Sequence, residues 1–401
     1  MDKVNHIGII CGYPFPSGMA ATNRIISYSK GFIENDISVD IFVFCPFERL
    51  QNVNNIQGEI SGVNYYYPNW RWSKNKFTRV LFDRLIALFY TFRRINLEHK
   101  KRKFDFIFIS NDFIYILFLF LPFLKIKRIK TIFITDEYPT PIRIYLKNNI
   151  PKWKSITYNI IFKYFTAMVF MTENLSRFFN NFAQKPSFIM STITDTSRFD
   201  NKSDTISDKS IRKYICYMGN LELSKDNVDN IIRAFEKIKD FHTEIDLYIY
   251  GESSIKDMNF IKNLIVNLSL ETRVILKGRI DFNEVPKILK NAYILVSSQP
   301  KTKRAEGGFP TKLGEYMASN VPTLITDVGE ITKYVKDQEN VFICEAENDF
   351  KYAEKLNFII NNYDFAKKVA LQGKIFLYEN YDYKSVGKKL VDFLYSVNQI
   401  D

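Results

Sequence analysis

Short runs rich in Ile, Val, Phe and Tyr recur along the chain and alternate with stretches whose apolar positions repeat at helical spacing. In the first half the strand-like runs are His6–Gly12, Val39–Cys45, Asn64–Pro68, Phe104–Ser110, Thr131–Glu137 and Ala167–Thr172. In the second they are Lys213–Gly219, Asp246–Gly251, Val274–Gly278, Ala292–Ser298, Pro322–Asp327 and Asn340–Cys344. Most are continuous rather than alternating, the pattern of parallel strands covered on both faces. Strands alternating with helices predict an α/β protein with doubly wound parallel sheets. Twelve strands in two series fit two such domains better than one large sheet. The polar stretch Asp200–Lys213, DNKSDTISDKSIRK, carries no apolar period and marks the seam. The expected organisation is a first domain over residues 1–198, a second over 199–380, and a helical segment over 381–401 with the option of packing back on the first.

With 46% hydrophobic and 25% charged residues, the 401-residue chain has ordinary globular composition, which excludes a disordered or collagen-like protein. Charge changes the picture more. The net charge is +12, and Asn69–Lys130 alone holds 15 Lys/Arg against 4 Asp/Glu. Such a block points to an anionic partner: nucleic acid, an acidic membrane or a phosphorylated substrate. Residues 1–11 lack a secretion-signal pattern, and the apolar run Phe113–Leu124, interrupted by Pro122, is shorter than the roughly twenty residues of a membrane span. The four cysteines share no metal-ligand spacing, so reduced thiols and a cytoplasmic location are expected.

The chemistry is first narrowed by exclusion. No G-x-x-x-x-G-K-[ST] loop and no Asp-x-Asp pair occurs, and the three histidines suit neither a triad nor a metal site. In open α/β sheets ligands bind beyond the carboxyl ends of the strands. After the first strand, Gly12–Arg24 is a Gly/Pro loop opening a helix, with Gly18 placed either for ligand approach or for a tight packing turn. Asp136 and Glu137 end another strand, as an acid/base or sugar-positioning pair or as turn acids. In the second half, Gly219 and Asn220 end a strand, and Lys225 follows as a diphosphate clamp. The loop Gln299–Lys312 then combines Arg304, Glu306, Gly307, Gly308, Phe309, Pro310 and Thr311 ahead of a helix over Leu313–Ser319. Bare amides, a helix start and cations make an anion site, and Glu315 one turn inside can take two hydrogen bonds from a ribose diol.

These residues carry a resemblance. Tyr217-Met218-Gly219 with Lys225, Lys277-Gly278-Arg279, and above all Glu306-Gly307-Gly308-Phe309-Pro310-Thr311-Lys312-Leu313-Gly314-Glu315 resemble the retaining family-four glycosyltransferases. The resemblance implies a GT-B fold, two Rossmann-like domains facing a central cleft, with a nucleotide-sugar donor on the second and the acceptor on the first. It implies retention of anomeric configuration, no metal and no cofactor. In that family's pattern Lys225 neutralises the diphosphate and the amides of Gly307–Thr311 contact sugar and phosphate. Glu315 holds the ribose, and Gly278-Arg279 lie against the base. Two departures stand out: the paired glutamates are separated by eight residues rather than seven, leaving the role of Glu306 open, and Asn220 replaces an Arg. A GT-B epimerase or phosphorylase remains an alternative. Nucleic acid is set aside as a partner, because the basic block carries no reading motif.

The basic block adds a second expectation. Phe77–Ile95 reads as an amphipathic helix whose Phe77, Leu81, Leu85, Leu88, Phe92 and Ile95 fall within about 80° of one another. That stripe is expected to pack inward. Trp70, Trp72, Arg79, Arg84, Arg93 and Arg94 are left for an anionic membrane or a lipid-diphosphate-linked acceptor, at about 1 kcal/mol per well-placed cation. The expected location is peripheral, at the inner face of the membrane.

Overall fold

The computed structural model describes residues 3–16, 18, 20–45, 56–69, 82–110, 114–145, 147–200 and 212–399. It divides into two compact units, Met1–Thr194 with Tyr383–Asp401, and Asp195–Asp382. The first boundary falls at Thr194 rather than residue 198, because the short helix Thr196–Phe199 belongs to the second unit.

In chain order the first unit holds β1 (His6–Cys11), α1 (Ala20–Ile33), β2 (Ser38–Val43), β3 (Gln57–Ile60), β4 (Val63–Tyr66), α2 (Arg84–Lys101) and β5 (Phe106–Ser110). It continues with α3 (Ile114–Ile126), β6 (Lys130–Thr135), α4 (Thr140–Arg143), α5 (Lys152–Ile161), β7 (Ala167–Phe170), α6 (Glu173–Asn180) and β8 (Ser187–Ile189). Its sheet runs β3-β4-β2-β1-β5-β6-β7-β8, parallel except for the antiparallel β3–β4 pair. Side chains on β6 alternate between the two faces of the sheet. Ile132 and Ile134 join Tyr28 and Phe32 of α1 in one core. Phe133 points the other way and meets Phe162 just after α5 at 4.8 Å and Phe179 of α6 at 5.1 Å.

The second unit contains β9 (Lys213–Met218), α7 (Val228–Ile238), β10 (Ile245–Tyr250), α8 (Ile255–Asn267), β11 (Val274–Gly278), α9 (Val285–Lys290) and β12 (Ile294–Val296). Then come α10 (Lys303–Gly307), α11 (Lys312–Ala318), β13 (Thr323–Asp327), α12 (Ile331–Tyr334), β14 (Phe342–Glu345), α13 (Asp349–Asn361) and α14 (Tyr363–Asn380). The sheet order β11-β10-β9-β12-β13-β14 is wholly parallel. β9 lies between β10 and β12, so the strand order reverses beside it, where such sheets open a ligand crevice. The chain then returns as α15 (Tyr383–Asn398), whose Leu390 and Leu394 enter the first unit's core.

The twelve expected strands form within two residues of their expected ends. β3 and β8 were not expected: they are short edge strands without a buried apolar run. The amphipathic helix differs more. α2 runs on through Lys101, and Leu85, expected inward, is 55% exposed alongside Phe82 and Phe89.

Candidate functional site

The second unit's site is floored by glycines at the ends of three adjacent strands. Gly219 donates its amide to Tyr250 O at 3.0 Å, and Gly251 donates to Gly278 O at 2.9 Å. Gly251 has φ +136°, and a Cβ there would collide with the Gly219 carbonyl. Gly278, with φ +69°, faces open space, and Arg279 beside it is exposed. Only glycine allows backbones to approach this closely in that conformation.

One wall comes from the segment after β12. Tyr316 ties α11 to the strand ends, donating to Val296 O at 3.3 Å or Met218 O at 3.2 Å and accepting from Met218 N at 2.9 Å. Lys312 therefore reaches the floor: a Cβ on Gly219 would lie 2.6 Å from its Nζ. That ammonium donates to Asp226 Oδ1 at 3.0 Å and to Tyr217 Oη at 3.1 Å. Burial pulls its pKa below the ordinary 10.5; the nearby Lys225 adds to the shift, and Asp226 opposes it. A second cation thus stands with Lys225 at the strand end where Asn220 departs from the family pattern. Lys312 was quoted in the motif but given no role by sequence reasoning.

The remaining expected donor residues sit close by. Arg304 lies 3.5 Å from Glu222, drawing α10 toward the turn that carries Lys225. Gly307, Phe309 and Pro310 are buried, Gly308 and Thr311 half-buried. Thr302 caps α10 by accepting from Ala305 N at 3.2 Å. Glu306 pairs with Lys303 on the exposed side of that helix. Glu315 pairs with Arg198, whose guanidinium also donates to Phe282 O at 2.8 Å and stacks 3.5 Å from the Phe282 ring. Sequence reasoning did not assign Arg198.

The first unit holds a separate cluster at the ends of β1 and β6. Asp136 pairs with the buried Arg24 of α1 at 2.8 Å, and Arg24 also donates to the carbonyls of Met190 and Ser191. Burial raises the Asp136 pKa, with Arg24 opposing and Glu137 adding. Glu137 pairs with Arg143 at 2.5 Å. Gly18 lies against Thr22, whose hydroxyl donates to Pro14 O at 2.7 Å, so a packing turn accounts for this glycine. Arg24, which fixes the acid, was the end of the quoted loop and had no assigned role.

Of the cations expected at a membrane or acceptor, Arg84 and Arg93 are exposed. Arg94 is not available to lipid: it pairs with Glu98 at 2.9 Å and covers the Tyr66 ring at 3.9 Å. Trp70, Trp72 and Arg79 lie outside the described residues.

Two parallel-sheet α/β units, the second with a glycine-floored and cation-lined site at its strand ends, define the GT-B fold of glycosyltransferases. The comparison with solved structures agrees over nearly the whole chain. Sucrose-phosphate synthase from Thermosynechococcus elongatus matches at TM-score 0.75 and 13% identity, covering 98% of this chain and 99% of that one. The Anabaena protein HepE in complex with UDP and glucose matches at TM-score 0.71 and 12% identity, covering 98% and 100%. At these identities the likeness establishes the fold. Residues 199–375, most of the second unit, match the family model of glycosyl transferases group 1. A curated relative, poly(ribitol-phosphate) alpha-N-acetylglucosaminyltransferase of Staphylococcus aureus, is 26% identical over 171 residues, 42% of this chain and 33% of its own. The matches span less than half the length of the first curated relatives.

Proposed function

We propose that this protein is a retaining glycosyltransferase that moves a sugar from a nucleotide-diphosphate donor to a glycan or lipid-diphosphate-linked acceptor in cell-surface polysaccharide or glycolipid assembly. The observation that carries this reading is the position of Lys312 on the strand-end floor of Gly219, with Lys225 near enough to act on its charge, in a unit that matches the group 1 family model. A diphosphate is the ligand that two cations beside an unobstructed glycine floor suit best. A structural neighbour that holds UDP and glucose, and a relative named for transfer to poly(ribitol-phosphate), support a nucleotide-sugar donor and a polymeric acceptor.

In this reading the bond between the anomeric carbon and the diphosphate oxygen breaks, and the electron pair leaves with the diphosphate. Lys225 and Lys312 stabilise that charge. The acceptor hydroxyl attacks the face the diphosphate leaves, and its proton passes to the departing phosphate oxygen, so configuration is retained. Glu315, held by Arg198, takes the ribose hydroxyls. Asp136 and Glu137 orient the acceptor. No resident metal or cofactor is needed in this reading, because the charge on the leaving group is met by the two lysines.

Product analysis with a panel of nucleotide sugars tests the proposal. Release of nucleoside diphosphate that depends on an acceptor, with an α-linked donor giving an α-linked product, is the expected result. A donor altered in the absence of any acceptor would instead make the chain an epimerase.

A further inference from the structure

The helices α2, α3 and α5 lie on the same face of the first sheet. α2 meets α3 through Phe92, 4.4 Å from Phe120, and α3 packs on α5, with Lys125 5.0 Å above the Tyr164 ring just beyond it. A helix layer of this kind is expected to be apolar toward the sheet and polar toward water. This one is apolar on both sides. On α5, Trp153, Ile156 and Ile160 follow i, i+3, i+7 spacing, fall within about 60° of one another, and are all at least half exposed, Trp153 at 63%. Phe82, Leu85 and Phe89 repeat that spacing on and just before α2, with Phe89 64% exposed. α3, Ile114–Ile126, has Lys125 as its one charged residue, yet Phe118, Leu119 and Ile126 face outward.

The exposed charge carried by this stretch of chain has one sign. Between residues 82 and 166, eleven Lys and Arg are exposed, among them Arg84, Arg93, Lys125, Lys152 and Lys163, and no described Asp or Glu is. The acids of this stretch are used inward: Asp83 and Glu98 are buried, and Asp136 and Glu137 hold arginines. We infer that the outward face of α2, α3 and α5 is a bilayer-docking surface, with Trp153, Phe89 and Phe118 entering the interface of an anionic membrane and the surrounding cations meeting its head groups. Charge complementarity selects this occupant. A second copy would bring like charges together, and nucleic acid would satisfy the cations while leaving the aliphatic stripes in water. α3 at thirteen residues is about 20 Å long, too short for a hydrocarbon core of about 30 Å, so the chain lies on the surface rather than crossing it. Trp70 and Trp72, outside the described residues, play no part in it. It draws on the transferase reading only in that a lipid-diphosphate-linked acceptor would be met there.

The test is sedimentation of the full chain with vesicles of phosphatidylcholine alone or with one third phosphatidylglycerol, at low and high salt. The wild type and the variant Trp153→Ser/Ile156→Ser/Ile160→Ser are compared, with nucleotide-induced thermal shift measured on both. We expect binding to anionic vesicles that weakens with salt and falls at least tenfold in the variant, while the nucleotide shift is unchanged because the altered residues are exposed. In a chain carrying Trp70→Phe and Trp72→Phe, brominated lipid should quench the remaining Trp153 fluorescence. Equal binding by wild type and variant, or no binding to anionic vesicles, overturns the inference and leaves the transferase reading intact. So does loss of self-association in the variant with vesicle binding kept, or salt-sensitive binding to random oligonucleotides without vesicle binding. Vesicle binding with no nucleotide shift in either protein would instead remove the transferase reading alone.

Discussion

Lys312 joins parts of the chain 86 residues apart through its pairing with Asp226 at 3.0 Å. In the free protein burial lowers its pKa below 10.5; a bound diphosphate, as an adjacent anion, would raise it again. A group whose pKa rises on binding contributes fully below its free value and less as pH climbs through its bound value. Affinity for a nucleoside diphosphate should therefore fall as pH rises through the alkaline range above the lowered value, with proton uptake on binding there. Calorimetry in buffers of different ionisation enthalpy reads both. Lys312→Gln/Asp226→Asn keeps a neutral hydrogen-bonded pair and should abolish the uptake with about a tenfold loss of affinity, near 1.4 kcal/mol. Lys225→Ala should act on turnover, lowering kcat by roughly 10²–10³, or about 2.7–4 kcal/mol, if its charge meets the leaving group. Unchanged kcat would remove that role. Glu315 and Lys225 were picked out in the sequence because they stand at helix and strand ends in a recognisable spacing. Lys312 was not, because its significance depends on Asp226 and the bare face of Gly219, a proximity that spacing along the chain does not encode.

Helices pack where the apolar pattern is one-sided, and the first unit contains both the clear and the ambiguous case. α15 meets α1 at two glycines, Gly31 and Gly387; a Cβ on Gly387 would lie 2.5 Å from Gly31 Cα. Gly387→Val should therefore force the helices apart and cost about 1–3 kcal/mol in denaturant unfolding of the full chain. Leu390→Ala, at a position with no exposure, should cost about 2–5 kcal/mol through the cavity it leaves. α2 is the ambiguous case. Leu88 and Ile95 are buried while Phe82, Leu85 and Phe89 face outward, so two apolar stripes compete in one helix. Periodicity locates such a helix without saying which stripe meets the sheet, and Leu85 was assigned to the wrong one. The parallel strands were legible because continuous burial on both faces leaves an unbroken apolar run. Gln57–Ile60 and Ser187–Ile189 were not, because an edge strand can be short and partly polar.

At the scale of the whole chain, the two units have separate cores, and the chain ends in the first. Each chemical expectation can thus be tested within one unit: donor binding in the second, acceptor positioning by Asp136 in the first. Removing the Asp136 carboxylate leaves Arg24 buried at 4% exposure without its anionic partner. Asp136→Asn should accordingly lower unfolding stability while nucleotide binding, which belongs to the other unit, stays as in the wild type. The central claim concerns that second-unit site, and a thermal-shift panel of UDP, GDP, ADP and CMP on the wild type and Glu315→Ala tests it most directly. Ligand at a hundred times its dissociation constant adds about 2.7 kcal/mol of stability. One nucleoside diphosphate should stabilise the wild type by that amount and the variant far less, which would also name the donor class. Stabilisation of neither protein by any of the four would contradict the donor site and the transferase reading built on it.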